Sequence, residues 1–416
     1  MAAQQSGSSR RTFLSAAAGV SVCFWIPRRV KGYSPSEMRA MANRTLVKPG
    51  ISKWDLDTPA LCVDLDALEK NIAVMQAALK KSGLASRPHA KTHKCAAIAK
   101  YQLATGSIGI CCAKLSEAEA MVADGVDRIL MTTANPSTAK IRRAMKIAKS
   151  HRSFIQAVDE AQNARDLSAA AKAAGLVADV AIDVAVGTRT GIPAGEDALA
   201  LAQLVDKLPN LRLRGILSYD GGVQHAKGFE ARKARALKTI AANAETFEMM
   251  KKSGLNTDIF SGGGTGTYNI MHLVPGFTDV QVGSYVFMDM QYLAIGSENG
   301  DAVFSDFMPS LTVTTTVLNN RFPGRLTTDA GAKALTLNTP RAGVINEPGM
   351  EYDAGSDEFG SIQFKAPPSK EYKIGDKLEV IVPHCDPAVN EFDQMYGIRK
   401  DRVEVVWPVT ARGKSQ

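Results

Sequence analysis

ASRPHAKTHK, residues 85–94, contains the first of eight short β-rich segments, a strand predicted at 85–91 that ends in a lysine. The other segments are SIGICC at 107–112, RILMTT at 128–133, SFIQAV at 153–158, VADVAIDV at 177–184, LRLRGILSY at 211–219, TDIFSGG at 257–263 and DVQVGSY at 279–285. Stretches rich in Ala, Leu, Lys and Glu separate them, which is typical of a parallel sheet covered by helices. Eight β/α units in roughly 230 residues predict an α/β fold, a (β/α)8 TIM-type barrel with its chemistry at the C-terminal strand ends.

The sequence pattern changes after residue 300. SLTVTTTVLNN, DKLEVIVPHCD and DRVEVVWPV alternate with Gly and Pro turns, and no long amphipathic helix follows. This pattern predicts a separate β domain. The expected organisation is therefore a leader at 1–32, a connecting arm at 33–57, the barrel at 58–300 and the β domain at 301–416.

Composition excludes several classes of function. The formal net charge of +8 over 416 residues is spread along the chain, without a basic stripe interleaved with aromatic residues. Nucleic acid is therefore not an expected partner, whereas small anionic substrates are compatible with the charge. The six cysteines form no CxxC pair of the kind found in zinc or redox motifs. After the leader no segment reaches about 18 consecutive apolar residues, so no stable membrane insertion is expected.

The first 32 residues resemble an export signal. The sequence SRRTFL at 9–14 leads into an apolar run that ends at Ile26 and is too short to span a bilayer. This pattern predicts a twin-arginine leader and a periplasmic protein. The alternative is a basic start followed by a chance apolar helix in a cytoplasmic protein, since no clean A-x-A cleavage site is present.

The end of the first strand carries a candidate reactive amine. Lys91 is flanked in sequence by Arg87, His89, His93 and Lys94. Neighbouring cations should lower the pKa of a lysine and make its amine available for reaction with a carbonyl group. The alternative is a solvated basic turn.

Glycines follow the seventh predicted strand in SGGGTGTY. Gly262, Gly263 and Gly264 could bring backbone N–H groups against a phosphate, with the hydroxyl of Thr265 beside them. Phosphate sites after strands seven and eight recur in this type of barrel. A flexible turn is the alternative, but a lysine on the first strand together with this loop is far more specific.

Two further strand ends point to the same mouth. DVAVGTRTG ends the fifth predicted strand and SYDGGVQH the sixth, which directs Arg189, Tyr219 and His225 toward the site. A ring cofactor would use an aromatic contact and a cation at its ring nitrogen. Each of these residues taken alone is more often a packing or surface residue.

The β domain contains a candidate metal pair in VPHCDP. In an extended strand His384 and Asp386 would point to one face and Cys385 to the other. Imidazole and carboxylate at this spacing could hold a divalent cation completed by water. A hydrogen-bonded turn is the alternative.

These motifs closely resemble the D-threonine aldolase and eukaryotic-type D-serine dehydratase family, particularly its 3-hydroxy-D-aspartate and D-threonine aldolase branch. The resemblance covers residues 55–413. It is carried by DTPALCVDLDALEKNI, RPHAKTHK, GICCAKLSEAEA, SGGGTGTY, GSYVFMD, PHCDPAVN and VEVVWPVTARGK, in that order.

The resemblance implies an alanine racemase-like barrel with a β domain, a homodimer, pyridoxal 5'-phosphate and a divalent metal such as Mn, Mg, Co or Zn. It implies these roles: Lys91 carries the cofactor, Arg189 faces its pyridine nitrogen, Tyr219 contacts it, Gly263, Gly264 and Thr265 bind its phosphate, His225 lies near the substrate hydroxyl, and His384 and Asp386 bind the metal.

The implied activity is cleavage of a D-3-hydroxy amino acid, such as D-threonine, D-phenylserine or 3-hydroxy-D-aspartate, to glycine and an aldehyde. Dehydratases of the family typically have His-x-Cys where this chain has His384 and Asp386, which favours the aldolase. The chain departs from the family at SDEFG, where Phe359 replaces a histidine. The alternatives are a D-serine or D-3-hydroxyaspartate dehydratase and a non-catalytic carrier of pyridoxal phosphate.

The leader yields a direct prediction. A reporter fused after residue 32 should reach the periplasm only while Arg10 and Arg11 are both present, because the twin-arginine route recognises that pair. Cell fractionation of the fusion and of its Arg10→Lys/Arg11→Lys variant measures this. Export of the lysine variant would indicate the general secretory route, and a cytoplasmic wild-type fusion would support the chance helix.

Overall fold

The structure, a computed structural model, describes residues 50–300 and 302–416. The predicted leader and most of the connecting arm lie outside these residues. The described part opens with a short 3-10 helix, Lys53–Asp55, and strand β1, Ala60–Asp64. Among the described residues, no helix combines the length and hydropathy needed to cross a bilayer.

Eight parallel strands form the first sheet. They are β2 (Ala85–Ser86), β3 (Ile110–Cys112), β4 (Ile129–Met131), β5 (Ile155–Val158), β6 (Ala178–Asp183), β7 (Leu211–Ser218), β8 (Ile259–Gly262) and β9 (Asp279–Val280). From β3 to β9 each strand pairs with the next in sequence, and β2 pairs with β9. A parallel bridge between His89 and Cys111 joins the end of the β2 segment to β3. The sheet therefore closes, and the predicted barrel is confirmed, with one strand in each predicted segment.

Helices cover the outside of the barrel. They are α1 (Leu65–Lys81), α2 (Ala96–Ala104), α3 (Leu115–Ala123), α4 (Thr138–Ser150), α5 (Ala161–Ala174), α6 (Glu196–Lys207) and α7 (Phe229–Lys252). α4 shows why they form: it buries Ile141, Ala144, Met145 and Ala148, at the spacing of one helical face, and Ser137 caps its first turn by accepting from a backbone N–H. A short helix, α8 (Met290–Leu293), lies at the barrel mouth, where its Tyr292 lines a pocket.

The second sheet has nine strands and contains the first and the last strand of the described residues. Its later members are β10 (Leu311–Asn319), β11 (Arg325–Thr328), β12 (Gly343–Val344), β13 (Met350–Asp353), β14 (Gly360–Phe364), β15 (Lys377–Ile381), β16 (Gln394–Arg399) and β17 (Arg402–Pro408), with short helices α9 (Ala332–Leu335) and α10 (Cys385–Val389). Strand β1 lies between β10, antiparallel to it, and β16, parallel to it. Its residues fall in the range 58–300 expected for the barrel, yet they complete the β domain.

A buried arginine ties together the loops at the barrel mouth. Arg232 on α7 has no exposed surface, and its guanidinium donates to the carbonyl oxygens of Gly266, Ala226, Ile295 and Gly296 at 2.7–2.9 Å. These acceptors come from the loops after β7, β8 and α8. Since buried carbonyls without donors are costly, one side chain stabilises three loops at once.

Replacing this side chain should be strongly destabilising. Arg232→Met keeps much of the volume but removes the guanidinium donor from four carbonyl oxygens, of which that of Ile295 still accepts from the Gly228 N–H. The free energy of unfolding should therefore fall by about 3–5 kcal/mol. Urea unfolding measures it. Arg235→Met, on the exposed side of the same helix, is the matched control and should change stability by less than about 0.5 kcal/mol. A decrease of less than about 1 kcal/mol in the free energy of unfolding of Arg232→Met would contradict this role of Arg232.

Candidate active site

Lys91 lies where two adjoining cavities meet at the barrel mouth. One, of about 260 Å³, is lined by Lys114, Thr132, Thr133, Asp183, Arg189 and Thr190 among others. The smaller, of about 60 Å³, is lined by His225, Gly264, Thr265, Tyr292, His384 and Asp386 among others. Both share Lys91, His89, Tyr219 and Gln281. The structure thus brings together all the predicted site residues except Gly262 and Gly263, which belong to the same segment but line neither cavity.

The cationic residues that flank Lys91 in sequence do not lower its pKa as expected. Arg87 Nε donates to Asp279 Oδ1 at 2.9 Å inside the barrel, and Lys94 Nζ lies 3.5 Å from Glu117 Oε1. Burial lowers the pKa of His93 to about 4, so its imidazole is neutral at pH 7. The local charge is therefore largely compensated.

Lys91 faces a carboxylate instead. Its Nζ lies 3.4 Å from Asp386 Oδ2, and the charge of Asp386 raises the pKa of Lys91 although desolvation opposes it. The predicted lowering of the Lys91 pKa was therefore wrong, because the nearest charge comes from the β domain. Burial alone would raise the pKa of Asp386, but Lys91 and His384 bring it down to about 2. Asp386 is thus ionised at neutral pH.

The glycine loop after β8 is rigidly held. Gly263 has φ +58°, a left-handed conformation that favours glycine, and a Cβ on Gly264 would lie 2.8 Å from Gln224 Oε1. The Tyr285 N–H donates to Thr265 Oγ1 at 3.0 Å. Gly264 and Thr265 therefore present a fixed, side-chain-poor surface to the cavity, which suits close approach of a phosphate.

Arg189 and Tyr219 form one wall of the larger cavity. The guanidinium carbon lies 5.2 Å from the centroid of the phenol ring, a cation–π contact. Sequence reasoning missed Asp183, which ends β6 beside them. Burial raises the pKa of Asp183 to about 6, although a hydrogen bond to Thr190 and the Arg189 charge lower it in part. Its place at a strand end in DVAVGTRTG was the signal that could have identified it.

The candidate metal pair lies at the other end of the site. His384 is the N-cap of α10, so Cys385 and Asp386 are helical and not extended. The expected extended conformation is wrong, but Cys385 is buried and does not line the cavity, so it does point away from the pair as expected. His384 and Asp386 nevertheless both line the cavity. An imidazole and an ionised carboxylate together match the donors that divalent cations bind.

Sequence reasoning also missed two residues beside the histidines. The Asp289 Oδ2 atom lies 2.8 Å from Nδ1 of His384, and the ring of Tyr292 lies 4.5 Å from that of His225, centroid to centroid. Partial desolvation lowers the pKa of His225, which keeps its imidazole neutral at pH 7. Asp289 ends the motif GSYVFMD, but MDMQYL is typical of an apolar helix start, so the local pattern assigns no role to Asp289 or Tyr292.

The arrangement fits pyridoxal phosphate in its donor set. A primary amine, a rigid glycine and threonine loop, and a guanidinium over an aromatic ring surround one space. These are the groups needed for the aldehyde, the phosphate and the ring of the cofactor.

Two family models match the chain. Residues 63–291 match the alanine racemase N-terminal domain, and residues 310–398 match a putative serine dehydratase domain. The first covers more than half of the chain, and its span coincides with the barrel.

Characterised relatives give a finer comparison. The chain is 36% identical to a 3-hydroxy-D-aspartate aldolase of Paracoccus denitrificans (strain Pd 1222), over 88% of this chain and 95% of that protein. It is 35% identical to a D-threonine aldolase of an Arthrobacter species, over 92% and 100% of the two chains. The crystal structure of D-threonine aldolase from Filomicrobium marinum superposes with a TM-score of 0.84, at 35% identity over 89% and 99% of the chains. The chain therefore belongs to the alanine racemase-like family of pyridoxal-phosphate lyases, in the group that contains the 3-hydroxy-D-aspartate and D-threonine aldolases.

Proposed function

We propose that this protein is a pyridoxal-phosphate- and divalent-metal-dependent aldolase that cleaves a D-3-hydroxy amino acid to glycine and an aldehyde. The observation that carries the proposal is the meeting of Lys91 with the His384 and Asp386 pair in one pocket, 3.4 Å apart at the closest charged atoms. A substrate bound at Lys91 would have its β-carbon within reach of that pair. The names of the relatives support the same substrate class.

When bound, pyridoxal phosphate supplies an electron sink for the pair of electrons released by Cα–Cβ cleavage. The chain's own residues bind and orient it in these proposed roles: Lys91 Nζ holds it covalently, Gly263, Gly264 and Thr265 receive the phosphate, Arg189 faces the pyridine nitrogen, and Tyr219 contacts the ring.

A divalent cation bound by His384 and Asp386 would act as a Lewis acid on the substrate's β-hydroxyl. Asp386 is suited to this because its low pKa keeps it ionised at neutral pH. The carboxylate also lies 3.4 Å from Lys91 Nζ, so the same residue would connect the metal end of the pocket to the cofactor end.

His225 would remove the proton of the β-hydroxyl. Its lowered pKa leaves an imidazole nitrogen free to accept a proton at neutral pH, and the Tyr292 ring packed against it restricts its orientation. As that proton leaves, the C–O bond becomes the aldehyde carbonyl and the Cα–Cβ bond breaks. The Cα atom then takes up a proton to give glycine, so atoms and electrons balance.

A dehydratase that yields a keto acid and ammonia is the second candidate. The match of residues 310–398 to a putative serine dehydratase domain favours it. Asp386, where dehydratases typically have cysteine, favours the aldolase. Separate measurement of glycine and keto acid from D-threonine, D-phenylserine, 3-hydroxy-D-aspartate and D-serine distinguishes the two. We further propose a homodimer, from the family resemblance, and a periplasmic location, from Arg10 and Arg11.

Loss of the cofactor lysine should abolish turnover. Lys91→Ala removes the amine that holds the cofactor, so glycine production should fall at least about a thousandfold. In the wild type, borohydride should fix the cofactor to the peptide that contains Lys91, detected by mass spectrometry. Lys114→Ala, a lysine on the same cavity wall, should keep the label. Cofactor fixed to any other peptide would contradict the assignment of Lys91.

Metal removal should separate binding of the cofactor from cleavage. After chelation the protein should stay yellow, because Lys91, Arg189 and the glycine loop do not need the metal, yet glycine production should fall at least about a thousandfold. His384→Ala should behave in the same way. His272→Ala, an exposed histidine outside the pocket, should keep wild-type activity. Full cleavage activity after exhaustive chelation would remove the metal from the mechanism.

A further inference from the structure

A buried carboxylate lies directly behind the candidate metal ligand. Asp289 has no exposed surface, and its Oδ2 atom lies 2.8 Å from His384 Nδ1 and accepts from the Cys385 N–H at 2.9 Å. Its Oδ1 atom accepts from the Tyr292 N–H at 2.9 Å. Both oxygens of the Asp289 carboxylate accept a hydrogen bond from a backbone N–H. In the remaining contact the carboxylate is again the acceptor, so Nδ1 of His384 must carry the proton and donate it.

We propose that Asp289 is a positioning residue that fixes His384 as the Nδ1–H tautomer and thereby leaves its Nε2 lone pair for the metal in the pocket. The inference rests on the proposed function, because it takes His384 as a ligand. A histidine that binds metal through one nitrogen commonly donates its other N–H to a carboxylate, which sets the ring orientation and strengthens the ligand.

Direct metal binding by Asp289 is the competing explanation. One ligand atom each from Asp289, His384 and Cys385 lie within 4.8 Å of one another, close enough in principle to hold an ion. The carboxylate, however, already has three partners. Cys385 is fully buried and does not line the cavity. The Asp289 carboxylate therefore holds His384 from the side away from the pocket, and the three residues together are a poor cation site.

The same carboxylate acts indirectly on the second histidine of the pocket, His225, through Tyr292. Its Oδ1 contact caps the first turn of α8, which carries Tyr292, and the Tyr292 ring packs on His225. One buried group thus orients both the proposed metal ligand and the proposed base. Because the two histidine rings are only 6.2 Å apart, a change at Asp289 should affect the whole metal end of the pocket.

Nitrogen-15 NMR of histidine-labelled, metal-free protein tests the tautomer directly. At about pH 9, where imidazoles are neutral, His384 should give the Nδ1–H pattern, assigned by its absence in His384→Ala. In Asp289→Asn the amide offers an N–H in place of one oxygen, so the Nε2–H tautomer should gain. An Nε2–H pattern in the wild type overturns the proposal, even if the asparagine variant fails to fold.

Calorimetric titration with Mn²⁺ provides the second readout. Asp289→Asn should bind Mn²⁺ about 10- to 100-fold more weakly than the wild type. Asp64→Asn is the matched control, since Asp64 also caps a helix, α1, but contacts no histidine. It should bind Mn²⁺ normally, which separates positioning from a general effect on stability.

The outcomes distinguish this inference from the proposed function. If His384→Ala abolishes Mn²⁺ binding but Asp289→Asn binds normally, Asp289 has no positioning role and the aldolase proposal stands. If His384→Ala binds Mn²⁺ normally, the metal role of His384 fails and the inference falls with it. If Asp289→Asn abolishes Mn²⁺ binding while His384 keeps its Nδ1–H tautomer, Asp289 is a ligand itself and the positioning proposal is wrong.

Discussion

The ion pair between Lys91 and Asp386 is the interaction on which the pocket depends. Lys91 follows β2 of the barrel and Asp386 lies in α10 after β15, so the pair joins the two sheets at one point. Opposite charges in a partly desolvated space attract more strongly than in water, and each keeps the other ionised. The barrel supplies the amine, and the β domain supplies the charge that controls it.

The barrel could be predicted from the sequence because its information is local. Most of the eight strands appear as short apolar runs between turn residues, and the helices between them carry an apolar face. The place of β1 could not be predicted in this way. ALCVD at 60–64 is as apolar as a barrel strand, and its pairing with β10 and β16 is decided by residues hundreds of positions away.

The candidate site was predictable where strand ends bring residues together, as for Lys91, Arg189 and His225. It was not predictable where charge or conformation depends on distant partners. The Lys91 pKa follows Asp386 and not its sequence neighbours, and Asp289 meets His384 across 95 positions of the chain. The conformation of this segment was misjudged for a local reason, because Pro387 is tolerated in a first helical turn and the segment forms α10 instead of an extended strand.

The position of β1 has a consequence for how the protein is made. In the second sheet Cys62 pairs with Tyr396, so a strand synthesised early finds one of its partners only when nearly the whole chain has been translated. Contacts of such long sequence separation slow folding and leave apolar strands exposed during synthesis. The β domain is therefore completed at the end of translation, and neither half of the chain can be separated from the other by a single cut without dividing this sheet.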